Sequence, residues 1–335
     1  YNVFDLGGVL ANAPCGLGPP LQVVTNVFVW ITLFLCLVSY VIVMHDSAKT
    51  LVRGTLLDNR LLLVGLASAF VLPLCFLSQR LLERTSGLCI AVNLYFFGLL
   101  GVLYASRAAD DTLPEGCCIL GATLRGNFAM LNVMFEAVII QMCVLPMYKE
   151  LEDRSPKKFD RIVAVGFGVL FLVFCGVSCV GYLLFGPGVK SNLLSSLPAG
   201  PASSVAQVGF ILAVACVYPI MLYPMVAPIQ DYDGSILGVD RRAVAPAAKV
   251  LIVAAAMGTA LCVSSLGVVN VVNGALSAMV FVALIPSFIG LTMLDSGRCH
   301  KVALSLLLVG GIAVSSLGFV FNDNYVADLR CSLLA

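Results

Sequence analysis

The stretch Asn132–Arg161, NVMFEAVIIQMCVLPMYKELEDRSPKKFDR, decides how this chain is read. Its first half is apolar enough to lie in a bilayer, yet it carries Glu136, the single acid within any hydrophobic span. A carboxylate at membrane depth costs roughly 2.5–3.5 kcal/mol on insertion scales, so Glu136 is expected to face a bundle interior or a cavity. The second half becomes a charged loop with Lys149, Arg154, Lys157, Lys158 and Arg161. Pro146 stands just before that change. It has no amide proton, so the helix is expected to kink or break there.

The rest of the chain agrees with a membrane reading. Of 335 residues, 60% are hydrophobic and 11% charged. A soluble domain carries about 25% charged residues. Mean hydropathy is +1.03. About 20 apolar residues cross a bilayer as a helix. By that rule the spans fall near 21–44, 61–77, 86–106, 127–148, 162–185, 205–227, 247–265, 268–294 and 302–321, nine in all. The fold class is therefore an all-α polytopic membrane protein. Connectors are short, so residues 1–335 are read as a single transmembrane domain.

The same composition excludes several functions. A net charge of +1 gives no bulk attraction to nucleic acid. The 13 cysteines are scattered and make no metal-spaced pair, so they read as small apolar residues and no metal site is expected. Of them, Cys117, Cys118 and Cys331 fall in segments expected on the outer side of the membrane. No nucleophile elbow, P-loop or zinc motif is present, so no enzyme is expected.

Orientation follows from the basic residues of the loops. With residues 1–20 inside and strict alternation, twelve of the 19 Lys and Arg fall inside and seven outside. The 149–161 loop supplies most of the bias. It is read as a topogenic loop, with lipid contact or regulation as the alternative. Arg60 and Arg80 flank the short second span as expected snorkelling anchors. His45 and His300, at span ends, are expected to be solvated. Pro73, Pro146, Pro219, Pro224 and Pro286 lie within spans. Such residues are common in membrane helices, but the pair in VYPIMLYPM points to an irregular helix, the kind that lines transport sites.

Four stretches in this order resemble the amino acid/auxin permease family, especially its sodium-coupled neutral and vesicular amino acid transporters. YNVFDLGGVL with VSYVIVMHD is similar to the entry into that family's third helix. FVLPLCFLSQRLLERTSGL resembles the fourth helix and its loop. VLPMYKELEDRSPKKFDRIV, then GYLLFG, resembles the sixth and seventh, and its "LPxYxEL" pattern is the most specific. VYPIMLYPM and NGALSAMVFVALIP resemble the eighth and tenth. The resemblance implies a LeuT-like helical bundle of eleven helices, of which this chain holds the third to the eleventh. That register, with the start at Tyr1, predicts two further spans upstream, the first with a glycine-containing break that binds the substrate carboxylate.

The resemblance makes the helix of Glu136 half of the central site. Glu136 then holds the cationic side chain of an amino acid, carries a proton, or is a structural carboxyl neutralised by a local hydrogen bond. Asn132, one turn earlier, shares its face. Gln141 stands where the family often has histidine. Tyr218 and Tyr223 are further substrate-binding candidates, or plain interfacial tyrosines. Asn270 and Asn273 read as helix caps. In the sodium-coupled branch a hydroxyl residue ligates the ion where this chain has Cys216-Val217-Tyr218. A coupling ion, if any, is therefore expected to be H+ rather than Na+, and no other cofactor is expected. The function expected is secondary active transport of amino acids by alternating access, proton-coupled or by exchange, with cationic amino acids among the candidate substrates. The site is the plasma membrane or a vacuolar or lysosomal membrane. The alternative is an amino-acid-sensing receptor that does not transport. A channel would show a ring of like charges or a carbonyl filter, and neither is visible.

Overall fold

The computed structural model describes residues 6–13, 17–55, 57–77, 86–114, 124–138, 141–186, 189–230, 241–294 and 297–320. Each long apolar run becomes a helix, because in lipid a helix satisfies its own backbone. In chain order these are α1 (Leu6–Ala11), α2 (Gly18–Leu51), α3 (Arg60–Leu74), α4 (Ser86–Ala109), α5 (Leu124–Ala137), α6 (Gln141–Glu150), α7 (Pro156–Phe185), α8 (Pro201–Gln230), α9 (Arg241–Cys262), α10 (Leu266–Met293) and α11 (Arg298–Val320). A short 3-10 turn, Leu193–Ser196, precedes α8. No strand occurs among the described residues. Among the described residues seven helices are long and apolar enough to cross a membrane, and this is an all-α, multi-pass membrane protein.

Two expected spans differ from the helices observed. The span at 61–77 is the 15-residue α3, begun by the Asn59 side chain, which accepts from the amides of Leu61 and Leu62. The span at 127–148 is divided into α5 and α6. Helix α5 ends at Ala137 and helix resumes at Gln141, so position 146 lies inside α6 rather than at a break. Val138, which follows α5, is a turn, and residues 139–140 lie outside the described residues.

The chain splits into two compact units. The first comprises Tyr1–Thr32, Leu120–Phe174 and Asn270–Val326. Its apolar core gathers Leu10, Val280, Phe281 and Ile285, with Leu21 and Phe28 packed against them. In α10 the α-helix of Leu266–Ser277 gives way to π turns at Ala278–Leu284 and Ile289–Met293. The amide of Ile285 donates to Val280 O, five residues back, and Pro286 has no amide to offer the ordinary ladder. Helices α10 and α11 meet through glycine, which lets membrane helices approach closely. A Cβ at Gly290 would strike Leu304, and one at Gly311 would strike Ala283. The Ser287 hydroxyl donates to Leu304 O at 2.9 Å.

The second unit comprises Leu33–Ile119, Cys175–Val269 and Ala327–Ala335. Phe96, Leu100, Leu184, Leu194, Leu197 and Ala206 form its core cluster. Helices α3 and α9 run antiparallel, and each caps the other. Arg60, at the start of α3, donates to the carbonyls of Ala260 and Val263 at the end of α9. Lys249, early in α9, donates to Cys75 O just past α3, at 2.8 Å, and lies 5.3 Å from the Phe76 ring centre. Arg60 is thus a helix cap and not the snorkelling anchor expected. Arg80 lies outside the described residues, as do Cys117, Cys118 and Cys331. His300 is exposed, but His45, expected to be solvated, is only 4% exposed.

Candidate functional site

The first unit holds a polar cluster on otherwise apolar helices. Asn132 and Glu136 lie one turn apart on α5, as a four-residue spacing requires. Opposite them, α10 presents Asn273 and Ser277 with the same spacing. The Asn273 amide donates to Glu136 Oε1 at 3.1 Å. Asn132, Asn273 and Ser277 are fully buried, and Glu136 is half-buried. Asn132 donates from Nδ2 to Phe128 O on its own helix at 2.8 Å and to Val314 O on α11 at 3.5 Å.

Glycine makes this meeting of three helices tight. A Cβ at Gly274 would collide with the backbone carbonyl of Asn132, and one at Gly318 with its side-chain amide. The Oδ1 of Asn132 and the hydroxyl of Ser277 are buried and have no protein partner. Ser277 is the last residue before the first π turn of α10. Among the described residues Glu136 makes no ion pair. A carboxylate accepts through both oxygens, so this cluster is rich in acceptors. It suits a proton, an ammonium or a guanidinium.

Of the residues marked in the sequence, Asn132 and Glu136 come together. Asn273 joins them as a partner in mid-helix, not as the cap expected from sequence. The signal for it was present: Asn270, Asn273, Gly274 and Ser277 recur at helical spacing on an apolar helix. Gln141 is the first residue of α6, and its side chain lies outside the described residues. Tyr218 and Tyr223 belong to the second unit. Tyr218 is fully buried, its hydroxyl lacks a protein partner, and its ring lies 6.4 Å from that of Tyr40. Tyr223 is 42% exposed on the same helix.

Residues 12–321 match the family described as transmembrane amino acid transporter protein. The chain belongs to that family. Among relatives, it is similar to amino acid transporter AVT6E of Arabidopsis thaliana, 24% identical over 53% of this chain and 40% of that protein. It is similar to vacuolar amino acid transporter 6 of Saccharomyces cerevisiae, 22% identical over 64% of this chain and 50% of that one. A shorter match, 29% identical over 30% of this chain and 9% of the relative, is to solute carrier family 38 member 10 of Mus musculus. The chain thus spans half or less of the length of the curated relatives it matches.

Proposed function

We propose that this chain forms the core of a secondary active amino acid transporter, working by alternating access, in which Glu136 receives a positive charge during the cycle. One observation carries the reading: a half-buried carboxylate on a membrane helix is met by the Asn273 amide and, among the described residues, by no basic side chain. A charge at that depth needs compensation, and here a proton or a cationic substrate supplies it. The π turns of α10 and the division between α5 and α6 adjoin the cluster, and interrupted helices are where transporters bind their cargo. A vacuolar or lysosomal membrane fits the name of the yeast relative. Proton coupling rather than sodium coupling fits Cys216-Val217-Tyr218, which has no serine or threonine before Pro219.

Uptake by the full protein in proteoliposomes tests this. With E136Q, loss of lysine and arginine uptake and retention of neutral substrates marks Glu136 as the holder of a cationic side chain. One charge-assisted contact, roughly 1.5–3 kcal/mol, corresponds to about tenfold to a hundredfold in affinity. Retention of exchange with loss of the pH dependence of net uptake marks it as the proton carrier. An unchanged substrate range together with an unchanged pH profile refutes both roles. Binding without uptake in the wild type would favour a sensor.

A further inference from the structure

The basic loop that follows α6 carries a single hydroxyl, that of Ser155, among the five basic and four acidic side chains of residues 149–161. Ser155 stands directly ahead of α7. That helix has 30 residues, a length of about 45 Å against a hydrocarbon core of about 30 Å. The surplus projects into water at the end that carries Lys157, Lys158, Asp160 and Arg161. Arg154, Pro156, Lys157 and Lys158 are exposed, and Ser155 is half-buried. A turn at Glu152-Asp153 brings the chain round ahead of it. The Ser155 hydroxyl accepts from the amide of Lys158 at 3.2 Å, and Lys158 Nζ donates to Glu152 O at 2.6 Å. Tyr148 meets Phe159 edge to face, with ring centres 5.3 Å apart.

The residues around this hydroxyl select one kind of phosphorylating enzyme. Pro156 has no amide proton. A substrate groove without an acceptor at the position after the serine leaves the amide of any other residue buried and unpaired, which is costly. Proline alone enters it without that loss. Lys158, three residues after the serine, offers a cation to a carboxylate of the groove. Glu152 and Asp153, three and two residues ahead of the serine, occupy the places where an enzyme that reads upstream basic residues requires Arg or Lys. Lys157 and Lys158 equally exclude one that reads downstream acidic residues. The residue before a proline is biased towards extended backbone, the form a substrate groove accepts.

We propose that Ser155 is the phosphate acceptor of a proline-directed serine/threonine kinase that reads Ser155-Pro156-Lys157-Lys158. The co-substrate is ATP. Ser155 Oγ bonds to the γ-phosphorus, and the bond from that phosphorus to the oxygen bridging it to the β-phosphate breaks. ADP leaves, and the hydroxyl proton passes to the kinase's catalytic aspartate. The bias of Lys and Arg predicts the cytoplasmic side for this loop, the side that holds ATP and kinases. To enter the groove the first turn of α7 opens and the Lys158 amide leaves Ser155 Oγ; helix ends are where such opening is easiest. The product adds about −1.5 to −2 charges, which outweighs the single excess positive charge of residues 149–161. This site is separate from Glu136 and does not depend on the transport reading.

The test incubates the full protein, purified in detergent, with ATP and a purified proline-directed kinase, and locates phosphate by peptide mass spectrometry. Phosphate should accumulate on Ser155, and S155A should lack it in that peptide. P156A should slow the reaction about tenfold or more, because its amide finds no acceptor in the groove. K158Q should slow it about tenfold through loss of one charge-assisted contact. A synthetic peptide of residues 149–161 gives the same reading without the fold. Phosphate on the peptide but not on the protein overturns the proposal, because the folded loop then withholds the serine. A peptide that takes no phosphate overturns it as well, and so do equal rates in the wild type and either variant.

Discussion

Gly274 and Gly318 both face Asn132, but they face different parts of it. A methyl at Gly274 meets the backbone carbonyl of α5, which cannot turn aside, whereas one at Gly318 meets the end of a side chain. Overpacking costs typically about 1–3 kcal/mol. G274A should therefore fall at or above the top of that range and G318A near the bottom, read as the drop in thermal midpoint of the detergent-purified protein. Equal midpoints would mean that α5 and α10 are not in contact at this point. The same residues show what the sequence can and cannot reveal. Glu136 was legible because one acid in an apolar span has few explanations. Asn273 was legible only as part of a polar recurrence with Asn270, Gly274 and Ser277, and the bond to Glu136 is what separates a site residue from a cap. His45 was misread for a similar reason: the end of an apolar run does not disclose that Asn192, far along the chain, closes over Asp46.

Long hydrophobic runs made most of the helices legible, since length and apolarity are all that a crossing needs. Their interruptions were not. Pro146 looked like the break, yet helix α6 runs across that position, and α5 has already ended at Ala137. The π turns of α10 leave no mark in NGALSAMVFVALIP beyond Pro286. The pairing of α3 with α9 was likewise invisible, although it fixes both helices through two cations placed at opposite ends. Lys249 contributes one charged hydrogen bond and one ring contact. Hydrogen bonds from charged groups contribute roughly 1.5–3 kcal/mol, and cation–π contacts about 0.5–1 kcal/mol where water reaches them. K249M should lower the thermal midpoint while K249R largely retains it, since arginine keeps both interactions. If K249M unfolds at the wild-type temperature, the cap contributes nothing to stability.

The same hydrogen bonds constrain how the whole chain threads the membrane. Arg60 meets the end of α9 while Cys75, past the other end of α3, meets its beginning. Helix α9 is long and apolar enough to cross, and α3, bonded to it at both ends, is expected to cross beside it, although its 15 residues reach only about 22 Å. The bond between Asp46 and Asn192 then places the end of α2 and the connector ahead of α8 on one side. Between those points lie α3, α4, the α5–α6 pair and α7. With α3, α4 and α7 crossing, an even count predicts a single crossing for the α5–α6 pair. The excess of Lys and Arg in the 149–161 loop that follows predicts that this loop is cytoplasmic. The chain has no natural N-x-[ST] acceptor, so introduced ones report location without interference. Flexibly flanked acceptors inserted after Lys190 and after Arg53 should both be glycosylated in the full protein expressed in a secretory membrane, and one inserted after Arg154 should not. Glycosylation at Arg154 would reverse the orientation. Modification at only one of the first two sites would be incompatible with the Asp46–Asn192 bond.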